Sequence, residues 1–189
     1  RCADATIEID SPRCPVCSLP YEGAGADHTC PLCSQSPPAF QRIAARLAYG
    51  GSVAQALSRF KYGRRPELGR VLGELLVPLL DAICEQNLAQ IERAASLGVD
   101  AIHFCDDYGA QTGLLISLDM WRRFIKPRLA RQYDAVRAAG LYVSQHSCGN
   151  VTELLDDFVE IGLNLLNPLQ PEVMDAIGNI ERYRGRLAF

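Results

Sequence analysis

The sequence predicts an α/β fold in which about four βα units form part of a TIM-type (β/α) barrel, behind a smaller cysteine-rich module and a helix. In residues 79–189, a pattern of helix, glycine, short apolar strand and polar strand end recurs four times. Residues 1–78 instead hold five of the eight cysteines and a basic stretch. A complete barrel takes about 250 residues, so a chain of 189 residues predicts only part of one.

Composition and charge exclude several classes of protein. With 48% hydrophobic and 22% charged residues the chain resembles an ordinary globular protein, and its net charge of -3 argues against a protein that mainly coats nucleic acid or anionic lipid. No apolar run is long enough to span a membrane, and the first residues lack the pattern of a signal peptide. We therefore expect a cytoplasmic protein without membrane contact, whose cysteines are reduced.

The first half of the α/β pattern begins with a helix. Apolar residues at helical spacing predict a helix from Leu80 that ends at Gly98. A short apolar strand, Ala101–Cys105, follows. Ser117 is then a suitable N-cap for a second helix, which Pro127 is expected to kink or split.

The second half repeats the pattern. Leu141–His146 reads as the next strand, and Asn150 begins a capping-box-like start for a helix. Leu163–Asn167 is a third strand, and Pro171 sits where it would open another helix. Arg186–Phe189 reads as the start of a fourth strand. Polar residues follow each strand, which is where a (β/α) barrel places its chemistry.

Two Cys-Pro-x-Cys pairs dominate the first part of the chain. Cys14 and Cys17 are separated by twelve residues from Cys30 and Cys33, a spacing that lets two tight turns bring four thiolates to one Zn²⁺. We expect residues 1–40 to form a zinc-knuckle module, with four reduced or disulfide-paired cysteines as the alternative. Four thiolates leave no open coordination position, so this zinc would be structural.

The next segment, residues 41–78, completes a recognisable pattern. Together with the Cys-Pro-x-Cys pairs, Ala45–Gly51 and Arg59–Leu68 resemble the start of the ComF family of competence-associated proteins, in which a zinc knuckle precedes a phosphoribosyltransferase-like domain. The resemblance covers residues 1–78. The family's acidic phosphoribosyl-binding loop is absent from the sequence, so the resemblance does not imply phosphoribosyl transfer.

Basic and aromatic side chains alternate over Arg59–Arg65. Positive charges with interleaved aromatic rings suit a weak contact with single-stranded DNA. The alternative is a solvated surface. A competence-related zinc-knuckle protein that binds nucleic acid or protein partners is therefore the second function that the sequence suggests.

A histidine and a cysteine end the strand Leu141–His146. His146 and Cys148 are two positions apart in an extended segment, where alternate side chains share a face, so both can reach one metal ion. On spacing alone this is weak evidence, because a histidine at a strand end and a buried cysteine are both common.

Residues 79–189 closely resemble the uroporphyrinogen decarboxylase superfamily, which includes zinc-dependent corrinoid methyltransferases. The matching segments are residues 98–104, 106–111, 120–129, 146–150 and 166–172. His-x-Cys-Gly resembles the methyltransferase-type branch, which implies that His146 and Cys148 are zinc ligands together with a much later cysteine. That cysteine would lie beyond Phe189; Cys105 is a less favoured substitute.

The resemblance implies that zinc would activate a substrate thiol, which then takes a methyl group from a methylcorrinoid. The decarboxylases of the superfamily act on porphyrinogens without metal. Asp106, Asp107 and Tyr108, directly after a strand, are the candidate catalytic or substrate-contacting residues. The alternative is that the two aspartates only cap the following turn. Whether the chain is an active enzyme stays open, because neither family is whole.

The two family patterns meet near residue 78 without a linker. This predicts a chimera or a fragment rather than an evolved two-domain enzyme. An open part of a barrel leaves sheet edges unpaired, so we also expect the chain to form homo-oligomers through those edges.

Overall fold

A computed structural model describes residues 8–43, 45, 47–63, 65 and 67–189. The chain divides into two compact units, Arg1–Leu79 and Leu80–Phe189. In the described residues, no helix is both long and apolar enough to cross a membrane.

The first unit is built from short elements. Its helices are α1 (Pro31–Gln35), α2 (Gly51–Tyr62) and the first part of α3 (Leu68–Ala95). Single antiparallel bridges join Glu8 to Leu47 and Arg13 to Pro20. The hydrophobic residues that are buried among its described residues are Cys14, Cys30 and Val53. So little buried apolar surface cannot by itself offset the entropy of ordering the chain.

The second unit contains the sheet. Its strands are β1 (Ala101–Phe104), β2 (Gly109–Ala110), β3 (Gly113–Leu114), β4 (Tyr142–His146) and β5 (Leu165–Asn167). β1, β4 and β5 form a parallel sheet in that order, and β2 pairs with β3 as a separate antiparallel hairpin. Within the parallel sheet, His103 lies opposite Ser144, and His146 lies opposite Asn167.

Helices follow each strand of the sheet. The remaining helical segments are α4 (Leu118–Met120), a π-helical turn (Trp121–Ile125), α5 (Lys126–Ala138), a 3₁₀ turn (Thr152–Leu154), α6 (Leu155–Glu160) and α7 (Ala176–Tyr183). Ser117 caps α4 by accepting from the Met120 amide, as expected. The chain passes through the π-helical turn before Pro127 at the start of α5, so the predicted interruption is present.

The two faces of β4 differ in their surroundings. Val143 and Gln145 are fully buried, whereas Ser144 and His146 on the other face are partly exposed. The core on the buried side is aromatic, with Trp121 packed edge-on against Phe158 at 5.6 Å between ring centroids. Solvent therefore reaches the face of β4 that carries Ser144 and His146.

A buried carboxylate ties α6 to the π-helical turn and α5. The Asp157 side chain, 2% exposed, accepts from Arg122 Nη2 at 2.9 Å and from Lys126 Nζ at 2.6 Å. Burial raises the pKa of Asp157, but the two cations together lower it by more than burial raises it. Its pKa therefore lies below the usual value. Arg122 and Lys126 are thus part of the packing of this unit.

The α/β prediction with a small parallel sheet is confirmed, and the described residues contain no closed barrel. The predicted fourth strand is present only as a parallel bridge between Ala188 and Leu165. The prediction that Pro171 opens a helix is wrong: α7 starts five residues later, where Asp175 accepts from the Gly178 amide and supplies the cap. The hairpin of β2 and β3 was not predicted.

Candidate metal centres

The four cysteines of the Cys-Pro-x-Cys pairs lie together. One sulfur from each of Cys14, Cys17, Cys30 and Cys33 lies within 4.8 Å of the others. Cys14 and Cys30 are buried and the other two are partly buried. Four sulfurs at these separations match the ligand set of a structural zinc site.

Backbone amides hold two of the sulfurs in place. The Cys30 amide donates to Cys14 Sγ and the Cys33 amide donates to Cys30 Sγ, both at 3.4 Å. The second contact is the N-cap of α1, whose first residue is Pro31. Such N–H donors favour the thiolate form of sulfur, which is the form that binds metal.

The pKa values of these thiols show why a cation suits the cluster. Burial raises the pKa of Cys14, yet hydrogen bonds from the backbone amides of Cys30, Cys17 and Val16 outweigh it and bring the pKa down to about 6. Burial and the neighbouring sulfurs raise the pKa of Cys33 to about 12. One thiolate thus opposes the ionisation of the next thiol by charge repulsion. A bound divalent cation offsets this repulsion and so favours the thiolate form of all four sulfurs. His28 stacks on Tyr21 at 4.1 Å and is not among the clustered ligands.

A second cluster lies at the strand ends of the other unit. Asp107, His146 and Cys148 each bring one ligand atom within 4.8 Å of the others. Cys148 Sγ is 3.3 Å from His146 Nε2, and Asp107 Oδ1 is 3.7 Å from the same nitrogen. The imidazole and the thiol face one point, and their predicted role as metal ligands stays a prediction.

Side-chain contacts hold the second cluster from two sides. The Cys148 amide donates to Asp107 Oδ1 at 2.8 Å, which fixes the aspartate against the loop after β4. On the far side, His146 Nδ1 lies 3.1 Å from Asn167 Oδ1 on β5. The side chains of His146 and Asp107 are 35% and 52% exposed. The ligand atoms are therefore accessible from solvent while their orientation is constrained.

Two glycines allow the loops to approach each other. Gly149 has φ +81°, and a Cβ there would lie 2.5 Å from the Gly109 carbonyl carbon. A Cβ on Gly109 would in turn lie 2.6 Å from the Cys148 oxygen. The Asn150 amide donates to the Ala110 oxygen at 2.8 Å across this contact. Only glycines fit at this approach, which seats the cysteine loop beside the aspartate.

Buried polar residues beneath the cluster complete the support. Gln145 donates to the backbone oxygens of Asp106, at 3.1 Å, and His146, at 2.6 Å, and accepts from Tyr133 Oη at 2.8 Å. Ser147 Oγ accepts from the Tyr108 amide at 2.9 Å. These contacts tie the loop after β1 to the end of β4, which fixes the relative positions of the ligands.

The other candidate residues lie outside the cluster. Tyr108 is buried in the aromatic core, where burial raises its pKa, and its hydroxyl donates to Asp106 Oδ2 at 3.5 Å. Cys105 is exposed and does not belong to the group of ligand atoms. Catalytic roles for Asp106 and Tyr108 stay predictions.

Sequence reasoning treated Asp107 as a catalytic candidate and not as a metal ligand, and it gave Asn167 no role beside His146. Both signals were present in the sequence. Asp107 and Asn167 each follow or end a strand of the parallel sheet, and the carboxyl ends of such strands converge. What the sequence lacked was the register that pairs His146 with Asn167.

The basic cluster occupies the end of α2. Arg59 and Lys61 lie in its last turn, with Phe60 41% exposed and Tyr62 81% exposed. Arg65 forms an ion pair with Glu67. Arg64 lies outside the described residues. The part of the predicted nucleic-acid contact that the structure describes is therefore solvent-accessible.

The donor set of the second cluster fits zinc. One oxygen, one imidazole nitrogen and one sulfur are ligand types that Zn²⁺ accepts, and three protein ligands leave a fourth position open. The four-sulfur cluster fits a closed site instead. The two clusters thus suit one metal in two different roles.

Comparisons with known proteins support the uroporphyrinogen decarboxylase resemblance and, in part, the ComF resemblance. The family model described as Uroporphyrinogen decarboxylase (URO-D) matches residues 73–174, more than half of the chain. The "DNA utilization protein YhgH" of Escherichia coli (strain K12) is 33% identical over 79 residues, which are 40% of this chain and 32% of that protein. Its namesake from Shigella flexneri matches with the same values. The chain spans about a third of these relatives' length, and no solved structure matches it.

Proposed function

The chain belongs to the uroporphyrinogen decarboxylase family, and we propose that its second unit binds zinc through Asp107, His146 and Cys148 and presents it to a thiol substrate. One observation carries this proposal. Three different ligand atoms converge within 4.8 Å at the carboxyl ends of parallel strands, the edge at which α/β enzymes carry their chemistry.

The cluster of Asp107, His146 and Cys148 differs from a structural metal site in that solvent can reach it. His146 and Asp107 keep a third to a half of their side-chain surface exposed, so a substrate can reach a fourth coordination position. The contacts of Asp107 with the Cys148 amide and of His146 with Asn167 hold the ligands before metal arrives. The chain's own contribution is a preoriented, open set of three ligands.

Within the family, the His146-x-Cys148 pattern favours methyl transfer from a corrinoid to a thiol. Bound at this site, zinc would lower the pKa of the substrate thiol and so supply the thiolate at neutral pH. The thiol loses its proton, its sulfur bonds to the methyl carbon, and the cobalt–carbon bond breaks with its electron pair left on the corrinoid. Asp106, which lies beside Asp107 on the loop after β1, is the candidate for a polar contact with substrate.

The sheet of three strands is, in this proposal, one part of a (β/α) barrel whose other strands lie outside residues 1–189. Turnover then depends on those strands, whereas metal and thiol binding depend on residues that this chain holds. Binding is therefore the property that tests the proposal most directly.

The test uses the full chain with Co²⁺ in place of Zn²⁺. We expect two metal equivalents per chain in the wild type, one in Cys148→Ser, and two in the matched control Cys105→Ser, whose thiol is exposed outside the cluster. Adding 2-mercaptoethanol should increase the sulfur-to-cobalt absorption of the wild type and of Cys105→Ser. Retention of both equivalents by Cys148→Ser, or no response to the thiol, would refute the proposal.

A second function is favoured by one comparison. The chain matches proteins named for DNA utilization, and α2 ends in Arg59 and Lys61 with the exposed rings of Phe60 and Tyr62 between and beside them. We propose that this end of α2, with Arg64 and Arg65, contacts single-stranded DNA through phosphate charges and base stacking.

Binding of a fluorescent oligo-dT to the full chain at several salt concentrations tests the second function. The double variant Arg64→Ala/Arg65→Ala and the variant Tyr62→Ala should each weaken binding, the first with a smaller salt dependence. Arg70→Ala, which removes an exposed charge from α3, is the matched control and should bind as the wild type does. Equal losses in all three variants would exclude a site at the end of α2.

A further inference from the structure

Both histidines of the second unit contact the residue opposite them on the next strand. His146 Nδ1 lies 3.1 Å from Asn167 Oδ1, and His103 Nδ1 lies 2.9 Å from Ser144 Oγ. Each pair stands in register across the parallel sheet. The two partners differ chemically, because a hydroxyl can donate or accept whereas an amide oxygen only accepts.

The amide oxygen at Asn167 has a consequence for the ring of His146. If Nδ1 faces an acceptor it must carry the proton, and neutral imidazole then has its lone pair on Nε2. Nε2 is the nitrogen that lies 3.3 Å from Cys148 Sγ and faces Asp107. The opposite orientation of the amide would place a donor at Nδ1 and a proton on Nε2, which would prevent Nε2 from binding a metal.

The backbone holds Asn167 in this position. The Ser147 amide donates to the backbone carbonyl oxygen of Asn167 at 2.8 Å. The backbone of Asn167 is therefore bonded to the residue that lies between the two ligands His146 and Cys148. Residues that bond the second nitrogen of a metal-binding histidine set the ring's tautomer and orientation in many metal sites. His103 has no such fixed tautomer and is not part of a cluster among the described residues.

We infer that Asn167 is a positioning residue that fixes the Nδ1–H tautomer of His146 and thereby presents Nε2 to the metal. The inference rests on the proposed metal site. It assigns the asparagine a function that acts through the histidine and not through contact with substrate.

Nitrogen NMR of the histidine rings tests the inference, and the chain has only three histidines to assign. In the full chain, with and without zinc, His146 should carry its proton on Nδ1. Asn167→Leu should lose this preference and bind zinc at the cluster of Asp107, His146 and Cys148 about 10- to 100-fold more weakly. Asn167→Asp, which keeps an acceptor oxygen, should retain both the tautomer and most of the affinity.

Asn164→Leu is the matched control, because the Asn164 side chain accepts from the Val143 amide at 2.8 Å and not from a ligand. Its zinc affinity and its His146 tautomer should equal those of the wild type. A proton on Nε2 of wild-type His146, or an unchanged affinity in Asn167→Leu, overturns the inference. If the wild type binds no zinc at the cluster that contains His146, the proposed function is overturned instead. The tautomer of His146 in the zinc-free chain then still tests the role of Asn167.

Discussion

The two clusters of metal-binding side chains differ in what surrounds them. The four sulfurs of the first unit lie in a region where few other residues, of those that the structure describes, are buried. The three ligands of the second unit lie at the edge of an aromatic core that includes Trp121, Tyr133 and Phe158. On the proposed metal assignments, we therefore expect the first unit to need bound metal to fold, whereas the second unit should fold by burying apolar surface and should not need metal to do so.

The largest effect should follow from losing a buried sulfur of the first unit. Cys30→Ser removes one sulfur of the proposed structural zinc site, and zinc binding to comparable complete sites contributes about 10 kcal/mol or more to folding. We expect residues 8–43 to become sensitive to proteases. The single tryptophan, Trp121, is buried in the second unit, so its fluorescence should not change. Protection of residues 8–43 in the metal-free variant would show that this unit folds without metal.

A smaller effect, confined to the second unit, should follow from Asp157→Asn. The substitution leaves Arg122 and Lys126 without their buried partner and should cost about 2 kcal/mol in the free energy of unfolding, measured by Trp121 fluorescence in urea. Asp156→Asn is the matched control. Asp156 is mostly exposed and pairs with Arg182, and the asparagine keeps an acceptor for the Tyr183 hydroxyl, so the substitution should cost less than about 1 kcal/mol.

The pH dependence of that difference has a fixed sign. The pKa of Asp157 is lowered in the folded protein, so its contribution is present above the pKa of the unfolded chain and is lost as the pH falls through the folded value. The stability gap between wild type and Asp157→Asn should thus be full at pH 7 and shrink below about pH 4. A gap that stays constant down to pH 3 would contradict the ion-pair explanation.

The smallest effect should separate the metal site from the fold around it. Gly149→Ala places a Cβ against the Gly109 backbone, and we expect zinc affinity at the second site to fall about tenfold because the Cys148 loop must shift. Gly140→Ala is the control: it has the same kind of positive φ, but open space around it. It should cost about 1 kcal/mol of stability and leave zinc affinity, measured with a competing chelator, unchanged.

The sequence predicted those features that depend on local pattern. The spacing of the Cys-Pro-x-Cys pairs and the alternation at His146 and Cys148 each bring ligands together over a few residues, and both clusters are present. The apolar periods likewise predicted β1, β4 and β5 and the helices between them. In these cases the spacing of residues along a short stretch of the chain was enough.

Features that depend on contacts between distant segments were not predicted. Asp107 is placed by the Cys148 amide, 41 positions along the chain, and Asn167 faces His146 only through the register of two strands. The start of α7 at Asp175, and not at Pro171, depends on a side-chain cap that competes with the local preference of proline. Tertiary contacts determine the positions of Asp107 and Asn167, whereas the cap of α7 is a local contact that the sequence interpretation missed.

Stepwise removal of zinc from the full chain tests the contrast between the two clusters most directly. A competing chelator should take one equivalent quickly, from the solvent-accessible ligands Asp107, His146 and Cys148, without loss of protease protection anywhere in the chain. The second equivalent should leave slowly and together with the protection of residues 8–43. Release of both equivalents in one step, or a zinc content of one per chain, would contradict this account.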